Sequence, residues 1–265
     1  MTKPAPGPDQ PPIPVRLITF NTHHGVGEDA RHDLPRLAKV LHSVEADVIC
    51  LQEVDRYFGD RSEDVDQALL LSRALDMQLA WGPAIDEPRA DGRPRQYGNA
   101  LLSRLPILVS DVHRLPGTGE PRSALRTMLE LDGGTLWVTN THLSTGDPAR
   151  RAEQVGTLAA LHTDSMAAGV LVGDFNARPD APELAALQGR FDDAWELAED
   201  RDDQAGWRFW QRDEGLTHPA HSPHRRIDQV WVTHGVTVAS AQVLDSEGAS
   251  DHLPLLVDLL VPSGV

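Results

Sequence analysis

Six short segments set carboxylates, carboxamides and imidazoles beside strand-forming runs: Asn21-Thr22-His23, Gln52-Glu53, Thr141-His142, Asp174-Phe175-Asn176, Ile227-Asp228 and Ser250-Asp251-His252. An acid next to an imidazole, as in Asp251-His252, suits proton transfer from water, with the acid serving a metal or orienting the ring. Oxygen donors with histidines, in a chain whose one cysteine is Cys50, suit a hard cation such as magnesium or manganese better than structural zinc. Each segment alone is an ordinary turn or cap sequence. Their recurrence where strands should end is the informative feature.

Those ends belong to elements readable from periodicity. Val15 to Phe20 and Val48 to Leu51 read as strands around a helix over Leu34 to Val44, an opening β-α-β unit that places Asn21 and Glu53 at one end of neighbouring parallel strands. Asp66 to Met77 reads as a second helix. Strands are expected at Leu79 to Gly82, Asn99 to Leu102, Val109 to Leu115, Ala124 to Leu131 and Leu136 to Thr141, the last two joined by a tight turn at Asp132-Gly133-Gly134. Asp147-Pro148 starts a helix through Leu161. A strand at Val170 to Val172, short helices at Pro182 to Leu187 and Asp193 to Ala198, and closing strands at Ile227 to Val232, Val236 to Leu244 and Leu255 to Val261 complete the set. Glu199 to Arg226, with Trp207, Phe209 and Trp210, reads as a mobile or substrate-facing loop. Hairpins mixed with flanking helices imply a layered α/β structure with mixed sheets.

Composition sets the class. At 265 residues and 40% apolar content, the chain can bury a core of one large domain, expected over 15–265 after a Pro-rich arm over 1–14. A formal charge of −16, from 24 basic and 40 acidic residues, opposes sequence-independent binding to a nucleic-acid backbone. Cys50 lies in the apolar run Val48 to Leu51 and reads as a small buried hydrophobe. The arm lacks an apolar core of signal-peptide length, and no transmembrane segment is seen, so a cytoplasmic monomer is the expectation.

The order Asn21, Glu53, His142, Asp174-Phe175-Asn176, Asp228, Asp251-His252 closely resembles the endonuclease/exonuclease/phosphatase superfamily across Val15 to Val261. The resemblance implies the DNase-I-like fold, two packed mixed β-sheets flanked by helices, and hydrolysis of a phosphate ester with Mg2+, or Mn2+ as the alternative. It implies Glu53 as principal metal ligand, with Asn21 and Asp251 close by and His23 where some members carry a carboxylate. His252 resembles the general base or phosphate-facing imidazole, Asp228 the carboxylate that fixes its tautomer, Asp174 and Asn176 the pair that positions water and polarises phosphate, and His142 a second phosphate-facing histidine. Tyr97 and Asn99, in Tyr97-Gly98-Asn99-Ala100, resemble a substrate-binding segment. Arg122 and Arg126 offer guanidinium groups suited to phosphate.

The substrate is not chosen by this engine. Acidity and the lack of a basic stripe favour a phosphodiesterase or phosphatase on a small molecule or lipid head group, with an endonuclease or exonuclease as the alternative and a catalytically silent binding protein as the alternative of another class.

Overall fold

The computed structural model describes residues 11–162, 168–203 and 214–264. The chain runs β1 (Ile13–Asn21), α1 (Leu34–Ser43), β2 (Val48–Arg56), α2 (Gln67–Leu75), β3 (Gln78–Pro88), β4 (Pro94–Ser103), β5 (Ile107–Leu115), β6 (Arg122–Leu131), β7 (Gly134–His142), α3 (Pro148–Leu161), β8 (Gly169–Asp174), β9 (Phe191–Asp193), α4 (Ala194–Leu197), β10 (Asp200–Asp203), β11 (Asp228–Thr233), β12 (Thr237–Val243) and β13 (Leu255–Val261).

The strands form two sheets, in the orders β10-β12-β13-β1-β2-β4-β3 and β5-β6-β7-β8-β11-β9. Parallel pairs β1/β2, β7/β8 and β10/β12 sit among antiparallel ones, so both sheets are mixed. Burial on both faces explains why apolar residues of β1 point both ways, Val15 and Leu17 on one face and Ile18 and Phe20 on the other. Val15 and Leu17 point into the core between the sheets, where Val138, Val172 and Val230 meet them. Ile18 and Phe20 point the other way, against Leu37 and Leu41 of α1 and Leu71 of α2. The second sheet is covered by α3 through Val155 and Leu158. The result is the pair of packed mixed sheets flanked by helices that the resemblance implies.

Local chemistry starts the helices where it should. The Asp33 side chain accepts from the Arg36 amide at the head of α1, and Asp147 accepts from the Ala149 and Arg150 amides at the head of α3. The β6–β7 turn closes at Asp132-Gly133, with Gly133 at φ 107°.

Several expectations are corrected. β1 takes in Ile13 and Pro14, assigned above to the arm; Pro14 is tolerated because β1 pairs only with β13 there, its partner β2 joining at Leu17. Pro182 to Leu187 is a 3-10 turn, and the helix near Asp193 is shortened to α4 by the strand β9 before it. The segment read as a loop from Glu199 begins with β10, which carries no apolar signal because its sequence is Asp-Arg-Asp-Asp and it pairs in parallel at a sheet edge. Trp207, Phe209 and Trp210 lie outside the described residues. Among the described residues no helix is long and apolar enough to cross a membrane.

Candidate active site

Strand register gathers the polar residues. In the parallel β7/β8 pair His142 stands opposite Asp174, and in the antiparallel β8/β11 pair Asp174 stands opposite Asp228. Three functional groups therefore lie in a row at one end of the second sheet. In the first sheet Asn21 pairs with Gln52, and a bulge between Leu51 and Val54 puts Glu53 at φ 58°. A bulge re-aims a side chain at the cost of ladder bonds, and here it turns the carboxylate into the cleft. His23, His24 and Asn176 also adopt positive φ, the kind of backbone that persists where surrounding structure enforces it. Gly173 lets β8 approach β7: a Cβ there would lie 1.9 Å from the Thr141 carbonyl oxygen.

Hydrogen bonds lock these groups together. The Asn21 Nδ2 amide donates to Glu53 Oε1 (3.1 Å) and Asp174 Oδ2 (3.0 Å), while its Oδ1 accepts from the His23 amide (3.0 Å). His252 Nδ1 donates to Asp228 Oδ2 at 2.8 Å, which leaves Nε2, 3.8 Å from Asp174 Oδ2, as the cleft-facing nitrogen. Ser250 Oγ donates to the Asn21 carbonyl (2.7 Å) and accepts from the His252 amide (3.2 Å), tying the 250–252 turn to the end of β1. On the other side of Asp174, Arg122 Nη1 donates to His142 Nδ1 (3.2 Å), and Asn176 Nδ2 donates to the Leu143 carbonyl (3.0 Å) while lying 3.0 Å from His142 Nε2.

The electrostatics follow from these partners. Burial alone would discharge His252, yet the Asp228 carboxylate, with Asp174 and Asp251 behind it, holds its pKa up to about 10. His142 goes the opposite way: burial and the neighbouring Arg122 charge push it down to about 3. Burial, then the nearby Asp228 charge, raises Asp174 above the ordinary carboxylate range. Burial opposes ionisation of Glu53 too, but the neighbouring His24 and His142 rings and the Asn21 amide outweigh it and hold the group well below that range.

The cleft has a volume of about 600 Å³ and is lined by His23, Glu53, Tyr97, Arg122, His142, Asp174, Asn176, Asp251 and His252 of the expected residues. Asn21 and Asp228 sit beneath them, fully buried. Two expected substrate-binding residues are not brought there. Asn99 does not line the cleft; its amide donates to the Ser123 carbonyl (2.9 Å) and so bonds β4 to β6 of the other sheet. Arg126 stacks its guanidinium 3.6 Å from the centre of the Trp137 ring; four residues beyond Arg122, it is displaced roughly 13 Å along the strand. His24, His218 and Arg61 were not singled out by the sequence reading, yet all line the cleft. His24 Nδ1 lies 3.8 Å from Glu53 Oε2, and the His218 ring centre lies 4.5 Å from that of His252. The buried Asp55, at the end of β2, was the signal for Arg61, because a buried carboxylate requires a partner.

The donor set fits the hard divalent cation that the resemblance implies. Glu53 is an ionised carboxylate facing the cleft, and its contacts are an amide and an imidazole rather than a guanidinium or ammonium group. Among the described residues, two groups of three also bring ligand atoms within 4.8 Å of one another, His218-Asp251-His252 and Asp174-Asp228-His252. Glu53 belongs to neither, and in the second the imidazole is already committed to Asp228.

The same architecture occurs in known proteins. The model of the Endonuclease/Exonuclease/phosphatase family matches residues 18–252. The Escherichia coli K12 protein YbhP, itself described as uncharacterized, is 26% identical over 258 residues, covering 92% of this chain and 95% of that one. Among solved structures, an endonuclease/exonuclease/phosphatase from Beutenbergia cavernae superposes with a TM-score of 0.75 at 28% identity, covering 94% of this chain and 72% of that one. A mannosyl-6-phosphatase from Bacteroides thetaiotaomicron shares the fold at a TM-score of 0.72 and 19% identity, over 93% and 99% of the two chains. With its strand ends converging on one polar cleft and nearly its whole length matched, the chain belongs to the endonuclease/exonuclease/phosphatase family, whose members hydrolyse phosphoester bonds.

Proposed function

We propose that this protein is a divalent-metal-dependent phosphodiesterase or phosphatase acting on a small-molecule or lipid-head-group ester by in-line attack of water. The observation that carries the reading is the joint geometry of two linked units in one cleft: the His252–Asp228 pair, and the Asn21 amide that bonds both Glu53 and Asp174. Its family generally uses a divalent metal. Glu53, with Asn21 and Asp251 beside it, would hold Mg2+ or Mn2+, which supplies neutralisation of charge on the phosphoryl oxygens.

The side chains then divide the work. His252, kept protonated by Asp228, donates from Nε2 to a phosphoryl oxygen and stabilises developing negative charge. Of the two roles the resemblance offers for it, phosphate-facing donor and general base, the charged ring suits the donor. Asp174, raised toward neutrality and adjacent, is the carboxylate suited to orient the attacking water and take its proton. His142 and Asn176, on the other side of Asp174, position the phosphate.

The choice of a small substrate rests on charge. Arg95, which stacks on the cleft residue Phe58, and its neighbours Arg89 and Arg93 carry acidic partners, Glu87, Asp64 and Asp91, so they form no free stripe to follow a polyanion. Release of product from diesters, monoesters, plasmid DNA, RNA and phospholipid, each with Mg2+ or Mn2+, is the test. Turnover of small esters or head groups with weak nucleic-acid cleavage is expected. Preferential cleavage of DNA or RNA would replace the reading with the nuclease, and no turnover of any ester would leave the silent binding protein.

A further inference from the structure

The cleft holds more cationic capacity than one reacting phosphate needs. Beside the charged His252, three guanidinium groups among the described residues line it, those of Arg61, Arg122 and Arg225. Arg122 is taken up by Glu120 (2.9 Å) and His142 (3.2 Å). Arg61 is built differently. Its Nε and Nη2 donate to the two oxygens of Asp55 at 2.8 and 2.7 Å, a bidentate fork on a carboxylate with no solvent exposure. Asp55 is itself fixed, because its backbone amide donates to the Gln67 side chain (2.8 Å). The Arg61 guanidinium also stacks 3.9 Å from the centre of the Phe58 ring, and Arg95 stacks on the same ring at 3.9 Å.

This arrangement has two consequences. Phe58 serves as a stacking surface for two guanidinium groups rather than for a nucleobase. Arg61 keeps Nη1 outside its Asp55 fork, on a side chain that is 40% exposed and faces the cleft. A guanidinium already oriented loses little freedom when it binds an anion, and its fork geometry favours carboxylate or phosphate oxygens.

We propose that Arg61, locked in place by Asp55, is a specificity-determining residue that selects phosphate esters carrying a second anionic group on the same molecule as the reacting phosphate. The proposal rests on the hydrolase reading for the identity of the reacting group. Arg61 would touch the second anion, and Asp55 is a positioning residue that acts through it.

The test is calorimetric binding of fructose 6-phosphate and fructose 1,6-bisphosphate to the full chain with Mg2+, alongside phosphate release from each. The wild type should bind the bisphosphate at least about tenfold more tightly. Arg61→Lys, which keeps the charge but loses the fork, should bring that ratio most of the way toward one, and Arg61→Gln should abolish it. Asp55→Asn should act in the same direction as Arg61→Lys, with the affinity for the monophosphate nearly unchanged in all three variants. A ratio unaltered by Arg61→Lys, equal weakening of both ligands, or no binding of either sugar phosphate would overturn the proposal. Selective binding without phosphate release would leave Arg61 as assigned and remove the hydrolase reading; release without selectivity would do the reverse.

Discussion

The two sides of the Asp174 carboxylate each present a buried histidine, His142 Nε2 at 3.5 Å and His252 Nε2 at 3.8 Å from Oδ2, and the protein treats them oppositely. On one side His252 leans on Asp228, with Asp174 and Asp251 close by, and its pKa rises to about 10. On the other, His142 faces Arg122 and its pKa falls to about 3. Both rings are about 95% shielded from solvent, so burial does not separate them. The charge of the group behind each ring does. One fold thereby places a cationic donor and a neutral, polar donor around a single anion, the division of labour expected where paired titratable groups are driven apart.

The sharpest ways to break this contrast begin with the group both sides share. Glu53→Gln removes a cleft carboxylate held strongly ionised, and the account expects kcat/KM on a diester to fall about 10³-fold or more, roughly 4 kcal/mol of transition-state stabilisation. Steady-state kinetics across a Mg2+ series should show that excess ion fails to restore it. Next, Asp228→Asn keeps the shape but removes the charge that sustains His252. A loss of 10²- to 10³-fold, about 3–4 kcal/mol, is expected, together with a His252 ring that titrates near or below its ordinary range in an NMR pH series. An unmoved titration would mean that the two rings are not set by their partners.

A third buried histidine supplies a control away from the cleft. His162, on the outer face of the second sheet, accepts from or donates to Thr139 Oγ1 at 2.9 Å, and burial, with Arg126 and Arg190, lowers its pKa from 6.5 to about 4. Because the folded value lies below the unfolded one, the neutral ring's contribution is fully present above about pH 6.5 and is lost as the pH falls from there to about 4. Denaturant titrations at pH 7 and pH 5 should differ by about 2 kcal/mol from this residue, and His162→Gln should flatten that slope without changing activity at pH 7. The smallest effect is expected for His142→Gln. It exchanges one neutral side chain with a donor for another, so kcat/KM should fall only about tenfold, about 1.4 kcal/mol.

Much of this site was legible in the sequence because strand ends advertise themselves. Apolar, β-branched runs located β1, β2, β8 and β11; pairing register sets Asn21 beside Gln52 and Asp174 opposite Asp228, and the bulge in β2 turns Glu53 toward them. What periodicity does not carry is distance along a strand or direction out of a bulge. Arg126 shares the strand with Arg122 but not its position at the end, and Asn99 spends its amide on an inter-sheet bond to Ser123. His24 reaches Glu53 only through two consecutive left-handed residues, His23 and His24, a conformation uncommon for side chains of that size. His218 lay inside a segment read as one loop; the structure stitches it to the site through backbone bonds from Ala220 to Asp251 and from Leu253 to Thr217.

The most direct test of the contrast between the two histidines is the kcat/KM of His252→Gln on bis-p-nitrophenyl phosphate with Mg2+, measured beside His142→Gln. This account predicts a loss of at least about 10²-fold for His252→Gln, well beyond that for His142→Gln, since only the first removes a charge from the phosphate. Equal losses in the two variants, or activity that survives His252→Gln, would contradict it.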